Sequence, residues 1–188
     1  MDINRKNEKK STVREICYIA VFAAIITACA QLKIPLPGGV PITMQTFAIP
    51  LAGVVLGLRN GTIASLVYVL LGAIGVPVFA GFTGGMGIVF GPTGGFILTF
   101  PLMALTAGIG AKYKGGNTLW LTMWLILGAV VNFTGGLLMY AFITEHNLTI
   151  SFTRTVAPFI PGAIIKILLV VSYGKMIRQS LIKARVLT

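Results

Sequence analysis

Ala163-Ile164-Ile165-Lys166-Ile167-Leu168-Leu169-Val170-Val171 carries one charge in an otherwise aliphatic run. An ammonium at membrane depth costs at least ~2.5–3.5 kcal/mol on insertion scales, so it marks a substrate path or a buried partner. The chain offers few anions to pair with it. Only Asp2, Glu8, Glu15 and Glu145 are acidic, and three of these lie in the first fifteen residues. Lys166 is therefore read as waiting for an anionic ligand. The alternative is a lysine that lays its alkyl stem along apolar surface and snorkels its head to the interface.

Composition sets the class of the chain around that run. The 188 residues are 56% hydrophobic and 10% charged, with a mean hydropathy of +0.92. That is an integral membrane protein, with little mass left for a second domain. Six apolar segments are legible, at about 13–32, 46–58, 62–79, 88–111, 118–143 and 156–173. Several reach the ~20 residues needed to cross a bilayer. The second is short and contains Pro50; an Arg59-Asn60-Gly61 turn then predicts a tight helical hairpin with the third. The expected fold is an all-α compact bundle of six transmembrane helices. Its membrane domain spans 13–174, flanked by a basic segment at 1–12 and a basic tail at 175–188.

Charge placement orients that bundle. With six spans, Arg5, Lys6, Lys9, Lys10, Arg14, Arg59, Lys112, Lys114, Lys175, Arg178, Lys183 and Arg185 fall on one side, against Lys33 and Arg154 on the other. The positive-inside rule then puts both termini in the cytoplasm. Topology and anionic lipid account for the net charge of +11. The basic residues are scattered at membrane edges without interleaved aromatic platforms, so nucleic acid is excluded as a partner. Cys17 and Cys29 sit about 18 Å apart on one helix, too far to pair with each other. The first apolar run is too long for a signal peptide and lacks an evident cleavage site, so it is read as retained.

Four features could carry function. Ala20, Ala24 and Ala28 share one face of the first span. Small residues at that spacing admit another helix closely. By residue type alone, packing within the bundle is the preferred reading, and docking of another membrane protein is the second. The stretch 81–95 holds seven glycines in fifteen residues, including Gly84 and Gly94. Bare peptide groups there could bond a ligand or let helices pack. The loop from Lys33 to Phe47 mixes proline, glycine and apolar side chains, as a lid or a plain connector would. Gln45 and Asn132 could bond either a ligand or a neighbouring helix, and Glu145-His146 reads as a solvated loop pair. No catalytic constellation, metal-ligand cluster or cofactor motif is legible. Gly174-Lys175 is followed by Met176 with no Walker pattern before it, so the chain does not hydrolyse ATP by that route. It is read as a non-enzyme.

Several of these stretches together resemble the BioY family, the biotin-specific S components. They are Pro41-Ile42-Thr43-Met44-Gln45-Thr46-Phe47, Leu51-Ala52-Gly53 with Gly57, 68–81 from Tyr68 to Gly81, Gly91-Pro92-Thr93-Gly94-Gly95-Phe96, and Pro158-Phe159-Ile160-Pro161-Gly162 through Lys166. The likeness covers nearly all of the chain from about residue 13. It implies a substrate-binding subunit of an energy-coupling-factor transporter in a prokaryotic plasma membrane. Biotin would be the ligand, and a transmembrane coupling subunit with two ATPase subunits the partners. An S component for a different vitamin, or a non-transport membrane scaffold, are the alternatives. Under this likeness the alanine face becomes a docking surface. Lys166 would neutralise the ligand carboxylate, with Phe79, Phe90 and Tyr68 covering ring and chain. One position departs from the family pattern. Where the family commonly has an aspartate three residues before the lysine, this chain has Ala163, which leaves the ligand's polar head to Asn132, Gln45 or backbone.

Overall fold

The computed structural model describes residues 2–36, 39–112, 117–145 and 147–183, with backbone alone for 2–12, 145 and 182. Pro37, Gly38, Lys114, His146 and Arg185 lie outside the described residues, as do the side chains of Asp2, Arg5, Lys6, Glu8, Lys9, Lys10 and Glu145.

The chain is mostly helical. Helix α1 runs Asp2–Gln31 and is followed by a small antiparallel hairpin, β1 (Lys33–Ile34) with β2 (Ile42–Thr43). Then come α2 (Gln45–Ala73), the single turn α3 (Met86–Val89), α4 (Gly94–Lys112) and α5 (Thr118–Tyr140). A π-helical turn, Ala141–Glu145, leads to α6 (Leu148–Thr155), α7 (Ile160–Leu169) and α8 (Lys175–Lys183). Five of these stretches are long and apolar enough to cross a membrane: Val13–Gln31, Gln45–Ala73, Gly94–Lys112, Thr118–Thr144 and Leu148–Leu181.

Helix α2 is continuous in name only. Gly57 has φ 83 and ψ 177, backbone that a side chain would strain. The chain reverses there. Gly61 lies against the Ala52 carbonyl and the Gly53 Cα, and the Gln45 side chain reaches the Tyr68 hydroxyl. In a straight helix those last two residues would stand about 34 Å apart. The reversal thus falls at Gly57 rather than at 59–61. By Thr62, whose hydroxyl donates to the Leu58 carbonyl at 2.7 Å, helical geometry has resumed.

Other boundaries also shift from expectation. The apolar run at 62–79 leaves the helix at Ala73, because residues 74–85 form a glycine-rich turn with Gly75, Gly81 and Gly85 at positive φ. The fourth segment begins at Gly94, not 88. The last begins at Leu148, where Asn147 caps α6 by accepting from the Thr149 amide at 3.0 Å. Its helical path then breaks at a 3-10 turn, Ala157–Phe159, next to Pro158 and Pro161.

Helix α4 forms the centre, with the arms of α2 on one side and α5 on the other. Gly95 and Gly135 face each other's carbonyls, where a Cβ on either would collide, so α4 and α5 meet backbone to backbone. One end of the bundle gathers the Gly57 reversal, the end of α4, the start of α5 and α8. There Lys175 donates to Thr118 Oγ1 at 2.7 Å and Arg178 to the Val54 carbonyl at 3.0 Å. The opposite end carries the β-hairpin, the 74–93 turns and α6.

Candidate functional site

At the hairpin end lies a cavity of ≈ 330 Å³. That is the lower end of the range for small-molecule sites. Lys33, Val40, Pro41 and Thr43 of the hairpin region roof it. Gln45 and Thr46 at the start of α2 supply one edge, and Phe79, Ala80 and Thr83 from the 74–85 turn another. Phe96, Ile97 and Phe100 come from α4, Phe133 from α5 and Phe159 from the 3-10 turn. Phe96 and Phe159 stack at 6.0 Å, and Phe133 meets Phe159 edge-on at 6.5 Å. The lining is therefore aromatic on most sides, with a short polar edge.

Behind that edge runs a chain of buried hydrogen bonds. Lys166 is only 8% exposed; its Nζ donates to the Thr43 carbonyl at 2.6 Å and to Thr46 Oγ1 at 2.9 Å. Thr43 Oγ1 donates to Gln45 Oε1 at 2.7 Å, and Gln45 Nε2 donates to the Tyr68 hydroxyl. Tyr68 in turn donates to the Val78 carbonyl at 3.2 Å. Its ring also packs edge-on against Phe79 at 5.6 Å. The network ties α7, the 43–46 turn and both arms of α2 to the cavity wall. Each buried polar group in it would be costly to leave unpaired.

A second clasp holds the Phe79 wall from the other side. Gln31, at the end of α1, donates through Nε2 to the Phe79 carbonyl at 3.2 Å, and its Oε1 accepts from the Gly81 and Phe82 amides at 3.1 and 2.9 Å.

The residues expected at the site fall into three groups. Gln45 and Phe79 line the cavity. Lys166 and Tyr68 stand directly behind the lining, Lys166 with neutral protein acceptors rather than an open ammonium facing the cavity. Asn132, Phe90, Gly84 and Gly94 are not brought to it. Asn132 spends its amide on the Phe96 carbonyl at 2.9 Å and Thr99 Oγ1 at 2.8 Å, fastening α5 to α4. Phe90 is 62% exposed, and Gly84 and Gly94 give room to the Val76 and Val89 carbonyls. Sequence reasoning missed Lys33, Thr43, Thr46, Phe96, Phe100, Phe133 and Phe159 as site residues. Lys33, Thr43 and Thr46 lie in the loop read as a lid, Phe96 and Phe159 lie in stretches shared with the family, and Phe100 shares a helix face with Phe96; Phe133 converges through tertiary packing alone.

Ala20, Ala24 and Ala28 are exposed, while Ala23, Ile26 and Ala30 on the other face of α1 are fully covered. The three alanines border a shallow groove with Thr27, Gln31, Val67, Leu71 and Phe82. They are not consumed by packing within the bundle.

A helical membrane bundle with an aromatic cavity under a hairpin at one end defines a small-molecule-binding membrane protein. The chain belongs to the BioY family, whose profile matches residues 5–183. It is 39% identical over 153 residues to a probable biotin transporter BioY of Pyrococcus horikoshii, covering 81% of this chain and 89% of that one. It is 37% identical over 163 residues to the biotin transporter BioY2 of Lactococcus lactis, covering 87% and 89%. The fold resembles a crystal structure of the S-component for biotin from an ECF-type ABC transporter, with a TM-score of 0.80 and 28% identity over 90% of this chain and 93% of the other.

Proposed function

We propose that the chain is the substrate-binding subunit of an energy-coupling-factor transporter and captures biotin in the cavity beneath the β1–β2 hairpin. The observation that carries this reading is the cavity's make-up in a BioY chain: five phenylalanines around a short polar edge of Thr43, Thr46 and Gln45. Biotin combines an apolar chain and thioether ring with a ureido group that both donates and accepts. Gln45 keeps one N–H and one lone pair beyond its protein bonds, and Thr43 and Thr46 add further capacity at the same edge. Phe79, Phe96 and Phe159 cover the apolar parts. Lys166 holds the edge in shape by fixing the Thr43 carbonyl and the Thr46 hydroxyl.

Across the membrane domain, 13–174, the five apolar stretches become six spans once α2 is divided at Gly57, with basic segments 1–12 and 175–188 on either side. Arg59, Lys112, Lys175, Arg178 and Lys183 lie at the end opposite the cavity, against Lys33 and Arg154 at the cavity end. That asymmetry supports cytoplasmic termini and a cavity open to the outside. Exposed Leu127, Val130, Ile164, Ile165 and Leu168 suit lipid. The exposed face of Ala20, Ala24 and Ala28 supports docking of the transmembrane coupling subunit, through which two ATPase subunits supply the energy.

The test is mass spectrometry of ligand co-purified from cells grown with biotin, followed by calorimetry on the protein in detergent. Reproducible recovery of biotin and its saturable binding are expected. A different vitamin recovered in its place, with no heat on adding biotin, would overturn the assignment.

A further inference from the structure

The biotin reading leaves the ligand's carboxylate without a partner, and the structure assigns that role to Lys33. Lys166 is the cation expected from sequence, but it does not line the cavity, and its ammonium already serves the Thr43 carbonyl and Thr46 Oγ1. Lys33 lines the cavity, and among the described residues its ammonium has no hydrogen-bond or ion-pair partner. Its place is built. It stands opposite Thr43 in the hairpin register, so its backbone is fixed against the same residue that anchors Lys166. Its Nζ rests over Gly81, where a Cβ would collide with it; the missing side chain at 81 makes the niche. The Gln31 carboxamide secures that niche by accepting from the Gly81 amide.

The consequence is a ligand orientation. The neutral polar edge at Thr43, Thr46 and Gln45 receives the uncharged ureido group, and the acid lies at the exposed rim beside Lys33. A carboxylate next to a lysine at the rim keeps part of its hydration, and one charge-assisted bond there is worth a modest factor rather than the whole affinity. Lys33 thus acts as a specificity residue for the acid over neutral analogues.

This inference rests on the biotin assignment, and a double cycle separates the two. Affinities of biotin and of its neutral carboxamide are measured by calorimetry for the full chain, Lys33→Ala, Lys33→Arg and Lys166→Met. The wild type is expected to favour the acid by about 10-fold. Lys33→Ala should remove that preference while leaving the carboxamide within about 2-fold, and Lys33→Arg should keep it. Equal loss of both ligands in Lys33→Ala, or no loss of the acid, would overturn the role of Lys33 while leaving biotin binding intact. Acid preference lost in Lys166→Met but kept in Lys33→Ala would return the carboxylate to Lys166. If the wild type bound neither compound, the biotin assignment would fail and this inference with it.

Discussion

Replacing Gln31 by leucine should loosen the wall of the cavity without touching any residue that lines it. Three well-placed hydrogen bonds cross from the Gln31 carboxamide to the 79–82 turn, at 2.9, 3.1 and 3.2 Å. At a net 0.5–1.5 kcal/mol each they sum to about 1.5–4.5 kcal/mol. The three are not equal. Phe82 is exposed and its amide finds water when Gln31 is gone, whereas the carbonyl of buried Phe79 loses its donor with less access to a substitute. A loss of about 2 kcal/mol is the reasonable figure. Because Phe79 and Ala80 line the cavity, a ligand would have to restore the order that Gln31 supplied. That corresponds to roughly 30-fold weaker biotin binding. Gln31→Glu, which keeps the acceptor for the two amides but loses the donor, should fall between wild type and leucine. The assay is calorimetry with biotin in detergent, paired with thermal unfolding of the same samples. Wild-type affinity in Gln31→Leu would refute the reasoning. So would a large drop in melting temperature at unchanged affinity, which would make Gln31 a matter of global stability alone.

Lys166→Met should weaken biotin and its carboxamide alike, by about 2–3 kcal/mol, because it releases the Thr43–Thr46 edge while relieving the burial of a charge; a loss confined to the acid, read by the same calorimetry, would contradict this. Ala24→Phe should abolish co-purification of the coupling subunit with biotin affinity within about 2-fold of wild type, and normal assembly on an affinity column would count against the docking face. Gly57→Ala forces a side chain onto φ 83 and ψ 177 and should cost about 1–3 kcal/mol of stability, seen as a lower unfolding temperature in detergent. An unchanged transition there would mean that the reversal tolerates a side chain.

Sequence alone determined the class, the helical make-up and the family, because those rest on quantities that need no neighbours. Hydropathy over twenty residues decides whether a segment prefers lipid. The positions of fifteen basic residues against four acidic ones suffice to propose an orientation. The periodicity of Ala20, Ala24 and Ala28 already placed them on one face. What only the tertiary structure decided was partnership. Lys166 read as an unpaired charge because acidic residues were sought as its partners, yet it is satisfied by a backbone carbonyl and a hydroxyl more than a hundred residues away in sequence. Asn132 looked as suited to a ligand as Gln45 did, and packing sends one to a helix seam and the other to the cavity edge. Phe133 carries no local mark, since an aromatic residue in an apolar helix is equally at home facing lipid, core or ligand. Hydrophobicity is a one-body property that the sequence states residue by residue. Pairing and enclosure depend on which segments meet, and that is fixed only when Gly57 turns α2 back on itself and α4 packs between its neighbours.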